Sequence, residues 1–119
     1  MTSLIFVIED ESAFIDVYDK LFEIMNAKTV DWAFSGEEAI EKFKKAGERP
    51  DLIIMDQRLP KMNGVDTMVE IHKMDPTVKV IFVSADGRIK KAAMDKGAVD
   101  FIQKPFSIDE FVRVIKAHI

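Results

Sequence analysis

Five polar residues stand just after short apolar runs, and their types are those of phosphoryl chemistry. Glu9 and Asp10 follow Leu4-Ile-Phe-Val-Ile8, and Asp56 follows Leu52-Ile-Ile-Met55. Ser84 follows Val80-Ile-Phe-Val83, and Lys104 stands two residues past Ile102. If these five meet, three carboxylates face one lysine and leave about two negative charges. Two like charges 4 Å apart repel by roughly 4 kcal/mol at an effective dielectric near 20. A hard divalent cation with oxygen ligands removes that repulsion. Mg2+ fits, with Mn2+ as a substitute, because it binds through one or two carboxylates and keeps waters for a phosphate. The chain has no cysteine, and His72 and His118 lie away from the run ends, so zinc or copper is not expected. Carboxylates form aspartyl phosphates as nucleophiles. That reaction asks for positioning and for neutral surroundings around the equatorial oxygens. Asp56, alone at the end of its run, is the natural acceptor. Asp10 and Glu9 would hold the metal, Lys104 would pair with one phosphoryl oxygen, and Ser84 would hydrogen-bond another.

The elements that must bring these residues together are legible in the periodicity. Continuous apolar runs this short, rich in β-branched and aromatic residues, read as strands buried on both faces. Val99 to Ile102 is a fourth such run, interrupted by Asp100, and Thr29-Val-Asp-Trp-Ala33 is a weaker one. Helical spacing links Phe14, Val17, Leu21 and Met25; Ile40 and Phe43; and Val65, Met68, Val69 and His72. Ile108, Phe111, Val112, Ile115 and Ile119 form the clearest stripe. Ser35 with Glu38 and Ser107 with Glu110 read as capping boxes, and Gly47 and Gly97 as helix stops. Strand and helix therefore alternate five times, which means a parallel sheet with helices on both faces. Ligands of open α/β sheets bind outside the carboxyl edge of the strands, where the five polar residues must lie.

Composition sets the remaining bounds. The chain has 119 residues, 48% of them hydrophobic and 32% charged, with 17 basic and 21 acidic side chains. That is one globular α/β domain, without linker, repeat or low-complexity stretch. The net charge of −4 argues against a nucleic-acid-binding domain. No run is long enough to span a membrane, and the start lacks the pattern of a secretory signal, so the expected compartment is the cytoplasm.

With these residues in place, the chain resembles the receiver domains of two-component response regulators, including the stand-alone chemotaxis type. The matching pieces are FVIEDE, DLIIMDQRLPKMNG, VIFVSAD and GAVDFIQKPF, in order and at receiver-like spacing from Leu4 to about His118. The resemblance implies a flavodoxin-like doubly wound sandwich with strand order 2-1-3-4-5, one receiver domain over residues 1–119 and no effector domain in this chain. It implies that Asp56 takes a phosphoryl group from a phosphohistidine on a sensor histidine kinase or a histidine phosphotransfer protein. It implies Mg2+ on Asp10, Asp56 and the Arg58 backbone carbonyl, with Glu9 acting through water. Lys104-Pro105 would be a cis peptide, and Pro60 and Gly64 would shape the loop after Asp56. On phosphorylation Ser84 would move toward the phosphoryl group and Phe101 would turn inward, altering the surface of the fourth helix, fifth strand and fifth helix that a downstream protein reads. Such a domain catalyses only its own phosphorylation and slow dephosphorylation, and is a monomer or a weak dimer when phosphorylated.

The chain departs from the commonest receiver pattern at several positions. Glu9 stands where Asp is more frequent, Ser84 where Thr is, and Phe101 lacks a hydroxyl. The stretch from Ser84 to Lys104 is about two residues short, which predicts a short or displaced fourth helix. Arg58 and Asp86 flank the mouth of the expected pocket, and their spacing predicts an ion pair across it that hinders hydrolytic water.

Each feature also has a plainer reading. The Glu9-Asp10-Glu11 run could simply favour a helix start, and Phe101 and the methionines could be core filler. Trp32 is expected beneath the second helix, and His118 at a frayed end. Two rival functions remain. A haloacid-dehalogenase-type phosphatase would need a second acid where Arg58 stands. A phosphorylation-independent docking module would not need Asp10, Asp56 and Lys104 together.

Overall fold

The computed structural model describes residues 2–119 and places the elements in strict strand–helix alternation. They are β1 (Ser3–Ile8), α1 (Ala13–Ile24), β2 (Ala27–Ala33), α2 (Gly36–Lys45), β3 (Leu52–Met55), α3 (Gly64–Met74), β4 (Lys79–Ser84), α4 (Lys90–Asp95), β5 (Asp100–Gln103) and α5 (Ile108–Lys116). All strand pairs are parallel, in the order β2-β1-β3-β4-β5. The sheet matches the expected flavodoxin-like order.

Side-chain alternation splits the interior into two cores. Ile5, Val7, Leu52, Ile54, Ile81, Val83 and Ile102 face α1 and α5. Phe6, Ile8, Ile53, Met55, Val80, Phe82 and Phe101 face α2, α3 and α4. Both faces of the sheet are thus covered, which is why its strands read as unbroken apolar runs.

Several helix faces are rotated from the expected stripes. The buried side of α1 is Tyr18, Leu21 and Phe22, whereas Val17 is 44% exposed. In α3, Thr67, Met68 and Ile71 are buried, and Val69 is only partly so. In α5, Phe111, Val114 and Ile115 face the core while Ile108 is 61% exposed. The spacing located each helix, but the angle at which it sits on the sheet decides which of its apolar residues face inward.

The helix starts follow local chemistry. The Ser35 and Ser107 hydroxyls accept from the N–H groups of Glu38 and Glu110, and Asn63 caps α3 in the same way. Glu38 does reach back, but to the N–H of Phe34 at 2.6 Å. Gly97, at φ +124°, ends the α4 segment in a conformation that favours glycine. The short β4–β5 connection gives α4 only six residues, after a single 3-10 turn over Gly87–Ile89.

Two placements correct the sequence reading. Trp32 packs on the α1 and α5 side, 6.2 Å from the Tyr18 ring, and not beneath α2. Strand alternation sends its neighbour Ala33 to the other core, so Trp32 must face α1. His118 is not frayed. Its Nε2 lies 3.1 Å from Asp100 Oδ2, and its carbonyl accepts from Lys79 Nζ at 3.0 Å.

Candidate functional site

The carboxyl ends of β1, β3, β4 and β5 converge on one hollow of about 240 Å3. Asp10, Glu11, Asp56, Arg58, Ala85 and Lys104 line it. Asp56 ends β3 with its N–H bonded to the Ile8 carbonyl at 3.0 Å, which ties the acceptor strand to the acidic end of β1. The Lys104 N–H donates to the Ser84 carbonyl at 2.9 Å, so β4 and β5 bring the hydroxyl and the ammonium to the same edge. The Lys104-Pro105 peptide is cis, as the resemblance implied.

Burial divides the site residues into two groups. Glu9, Asp56 and Ser84 are 1%, 6% and 0% exposed, while Asp10 is open to solvent. Lys104 Nζ lies 2.7 Å from Glu9 Oε1 and 3.7 Å from Asp56 Oδ2. It also sits over the Phe14 ring, 4.1 Å from the centroid. Burial pushes the Glu9 carboxyl up to about 7, against the pull of the Lys104 hydrogen bond. Glu9 is held on all sides. Its Oε2 accepts from the Glu11 N–H at 3.2 Å, and its carbonyl accepts from the Trp32 indole N–H at 3.2 Å.

The donor set suits a hard cation. One carboxylate oxygen from each of Glu9, Asp10 and Glu11 lies within 4.8 Å of the others, and the hollow also opens onto Asp56. With all four carboxylates ionised, Lys104 and Arg58 would leave two negative charges (4 − 2) for a cation to neutralise. All these side-chain donors are oxygens, which favours Mg2+ or Mn2+ over a softer ion.

The structure corrects the expected ion pair at the mouth. Asp86 does not pair with Arg58. Its carboxylate takes Arg88 Nε at 2.9 Å, Arg88 Nη2 at 3.2 Å and the Arg88 N–H at 3.1 Å. These hydrogen bonds hold the Asp86 carboxyl below its ordinary range, and the Arg58 charge adds a smaller pull. A residue two places away in the same turn reaches Asp86 more easily than one on another loop. Phe101 packs in the core on the α2, α3 and α4 side of the sheet.

Other residues take part that the sequence reading passed over. Glu11 forms part of the wall, although it reads locally as an acid at a helix start. Phe14 lies under Lys104, although it reads as core. Trp32 grips the Glu9 backbone from β2. Their signal in the sequence is position alone: Glu11 and Phe14 follow the acidic pair within one helical turn, and Trp32 closes the strand beside β1.

Beside Lys104 a second, apolar hollow of about 600 Å3 opens between α1 and the β5–α5 loop. Phe14, Val17, Leu21, Pro105, Phe106 and Ile108 line it.

The model of the response regulator receiver domain matches residues 5–116. The chain belongs to that family. As a receiver domain it is 42% identical to the chemotaxis protein CheY of Thermotoga maritima over 85 residues, 70% of this chain and 69% of that protein. It is 35% identical to CheY of Bacillus subtilis over 92% of each chain. Among solved structures it resembles that of the CheX-CheY-BeF3-Mg2+ complex from Borrelia burgdorferi, with a TM-score of 0.89, 26% identity and coverage of 97% of this receiver and 87% of that chain. The response regulator domain of Thermotoga maritima CheB matches with a TM-score of 0.86 and 31% identity, over 99% of this chain and 96% of that one. This is a receiver domain of two-component signalling, closely similar to chemotaxis-type receivers. Among the described residues no helix is long and apolar enough to cross a membrane.

Proposed function

We propose that this receiver domain takes a phosphoryl group onto Asp56 from a phosphohistidine of a sensor histidine kinase or a histidine phosphotransfer protein in the cytoplasm. The observation that carries the reading is the placement of Asp56. It ends a central strand, nearly buried, on a hollow shared with Asp10 and Lys104. A carboxylate oxygen of Asp56 attacks phosphorus, the P–N bond to the imidazole breaks, and the electron pair returns to the ring nitrogen. Mg2+ held by Asp10, Asp56 and the Arg58 carbonyl would neutralise charge on the equatorial phosphoryl oxygens. Lys104 would pair with one of those oxygens, and the Ser84 hydroxyl would donate to another.

The donor must approach through the same mouth. Val17 and Ile108 are exposed apolar side chains at the adjoining hollow, a surface suited to cover by a partner protein. The output lies in the rearrangement of Ser84. Its Oγ accepts from the Asp86 N–H at 3.2 Å, so a shift of the hydroxyl toward the phosphoryl group disturbs the β4–α4 loop and the α4-β5-α5 surface for a downstream protein.

Incubation with acetyl phosphate and Mg2+, followed by intact mass measurement, tests the reading. One added phosphoryl group, absent in Asp56→Asn, is the expected result. Repeated turnover of organic phosphates would instead favour a phosphatase, and no reaction a docking module.

A further inference from the structure

Glu9 is one methylene longer than aspartate, and the extra reach changes where the site's lysine rests. Both of its carboxylate oxygens are engaged, Oε1 by Lys104 and Oε2 by the Glu11 N–H. Its backbone is pinned as well, with its N–H on the Ala33 carbonyl at 2.9 Å and its own carbonyl on the Trp32 indole. An acid 1% exposed and bonded in this way is fixed in place. It is well placed to hold a cation. The Lys104 ammonium is 2.7 Å from it, a charge-assisted hydrogen bond, and 3.7 Å from Asp56, beyond hydrogen-bond reach. Phe14 closes the far side of the ammonium with its ring face.

We propose that Glu9 is a positioning residue for Lys104, holding the ammonium beside Asp56 but off its oxygens, so that the acceptor keeps its lone pairs until a phosphoryl group arrives to take the cation. This rests on the reading of Asp56 as the acceptor. A hydrogen bond from Lys104 to Asp56 would draw electron density from the attacking oxygen. A lysine held by Glu9 still contributes its charge to the pocket. With aspartate at position 9 the carboxylate falls short, and Lys104 shifts to Asp56.

Two measurements test this. In the metal-free, unphosphorylated chain, the proton–nitrogen NMR signal of the Lys104 side-chain ammonium reports its hydrogen bond. The signal should exchange slowly with water in the wild type and in Asp56→Asn, where Glu9 still holds the ammonium, and be lost in the double variant Glu9→Asp/Asp56→Asn, in which neither position offers a carboxylate within reach. Its survival in that double variant overturns the proposal, as does its loss in Asp56→Asn. The second measurement is the rate of phosphoryl uptake from acetyl phosphate at fixed Mg2+. Glu9→Gln should slow it roughly tenfold or more in the wild-type background, and change it by no more than about twofold when Lys104→Met is already present. Equal slowing in both backgrounds would mean that Glu9 acts on the metal, and overturns the proposal. If the wild type takes up no phosphoryl group, the reading of Asp56 fails, and the ammonium signal alone decides whether Glu9 holds Lys104.

Discussion

Gly64 lies so close against the Asp56 carbonyl oxygen that no Cβ fits between them. A Cβ there would also stand 3.0 Å from the Asp56 carbonyl carbon and from Gln57 Cα. The Gly64 N–H bonds the Gln57 carbonyl at 3.0 Å, so the start of α3 is folded back onto the acceptor's own backbone. Gly64→Ala must push that loop away. The expected cost is about 1–3 kcal/mol, with slower phosphoryl uptake as Asp56 shifts. Urea unfolding checks it, and an unchanged midpoint would contradict the close approach.

The single tryptophan is bonded to the acidic corner through the Glu9 carbonyl. Mg2+ binding at Asp10 and Asp56 should therefore change Trp32 emission, and excess EDTA should reverse the change. Asp10→Asn should shift the titration to at least about tenfold higher Mg2+. Emission that ignores Mg2+ in the wild type would place the cation elsewhere.

Ser84 Oγ accepts from the Asp86 N–H, and in the proposed reaction its O–H donates to a phosphoryl oxygen. Ser84→Ala should cost about 1 kcal/mol of stability through the freed Asp86 N–H and slow phosphoryl uptake about tenfold. Ser84→Thr keeps the hydroxyl and should restore most of the uptake rate. Uptake by Ser84→Ala at the wild-type rate would remove the hydroxyl from the reaction.

Tyr18, the only tyrosine, is buried among Phe14, Phe22, Trp32 and Phe111. Burial raises its phenol well above the ordinary value, and the nearby carboxylate charges of Glu9, Asp56 and Glu11 add to the effect. The native state therefore keeps its proton where the unfolded chain loses it. The contribution to stability is intact below about pH 10 and declines as pH rises past the unfolded value. Spectrophotometric titration should show no phenolate signal until the chain unfolds. A phenolate that appears near pH 10 in the folded protein would refute the burial.

Much of this molecule is legible in short stretches of chain. The apolar runs around Ile5, Ile53, Ile81 and Phe101 mark strands because both sheet faces are covered, over the edge strand β5 as over the central three. The Ser35 and Ser107 caps mark helix starts because the hydroxyl needs only a neighbour three residues on. Other features need the assembled fold. Val17 and Ile108 share the spacing of their helix stripes yet remain exposed, because helix orientation on the sheet is set by packing among many residues.

The chain's own order of residues dictated that Asp10, Asp56, Ser84 and Lys104 share one edge, since strand–helix alternation sends every strand's carboxyl end the same way. Tertiary structure alone decided the pairings there: Lys104 with Glu9 before Asp56, Asp86 with Arg88 and not Arg58, Trp32 on Glu9's carbonyl. Charge competition turns on differences of about an ångström. Those differences come from how loops and side chains pack, not from how many residues separate them.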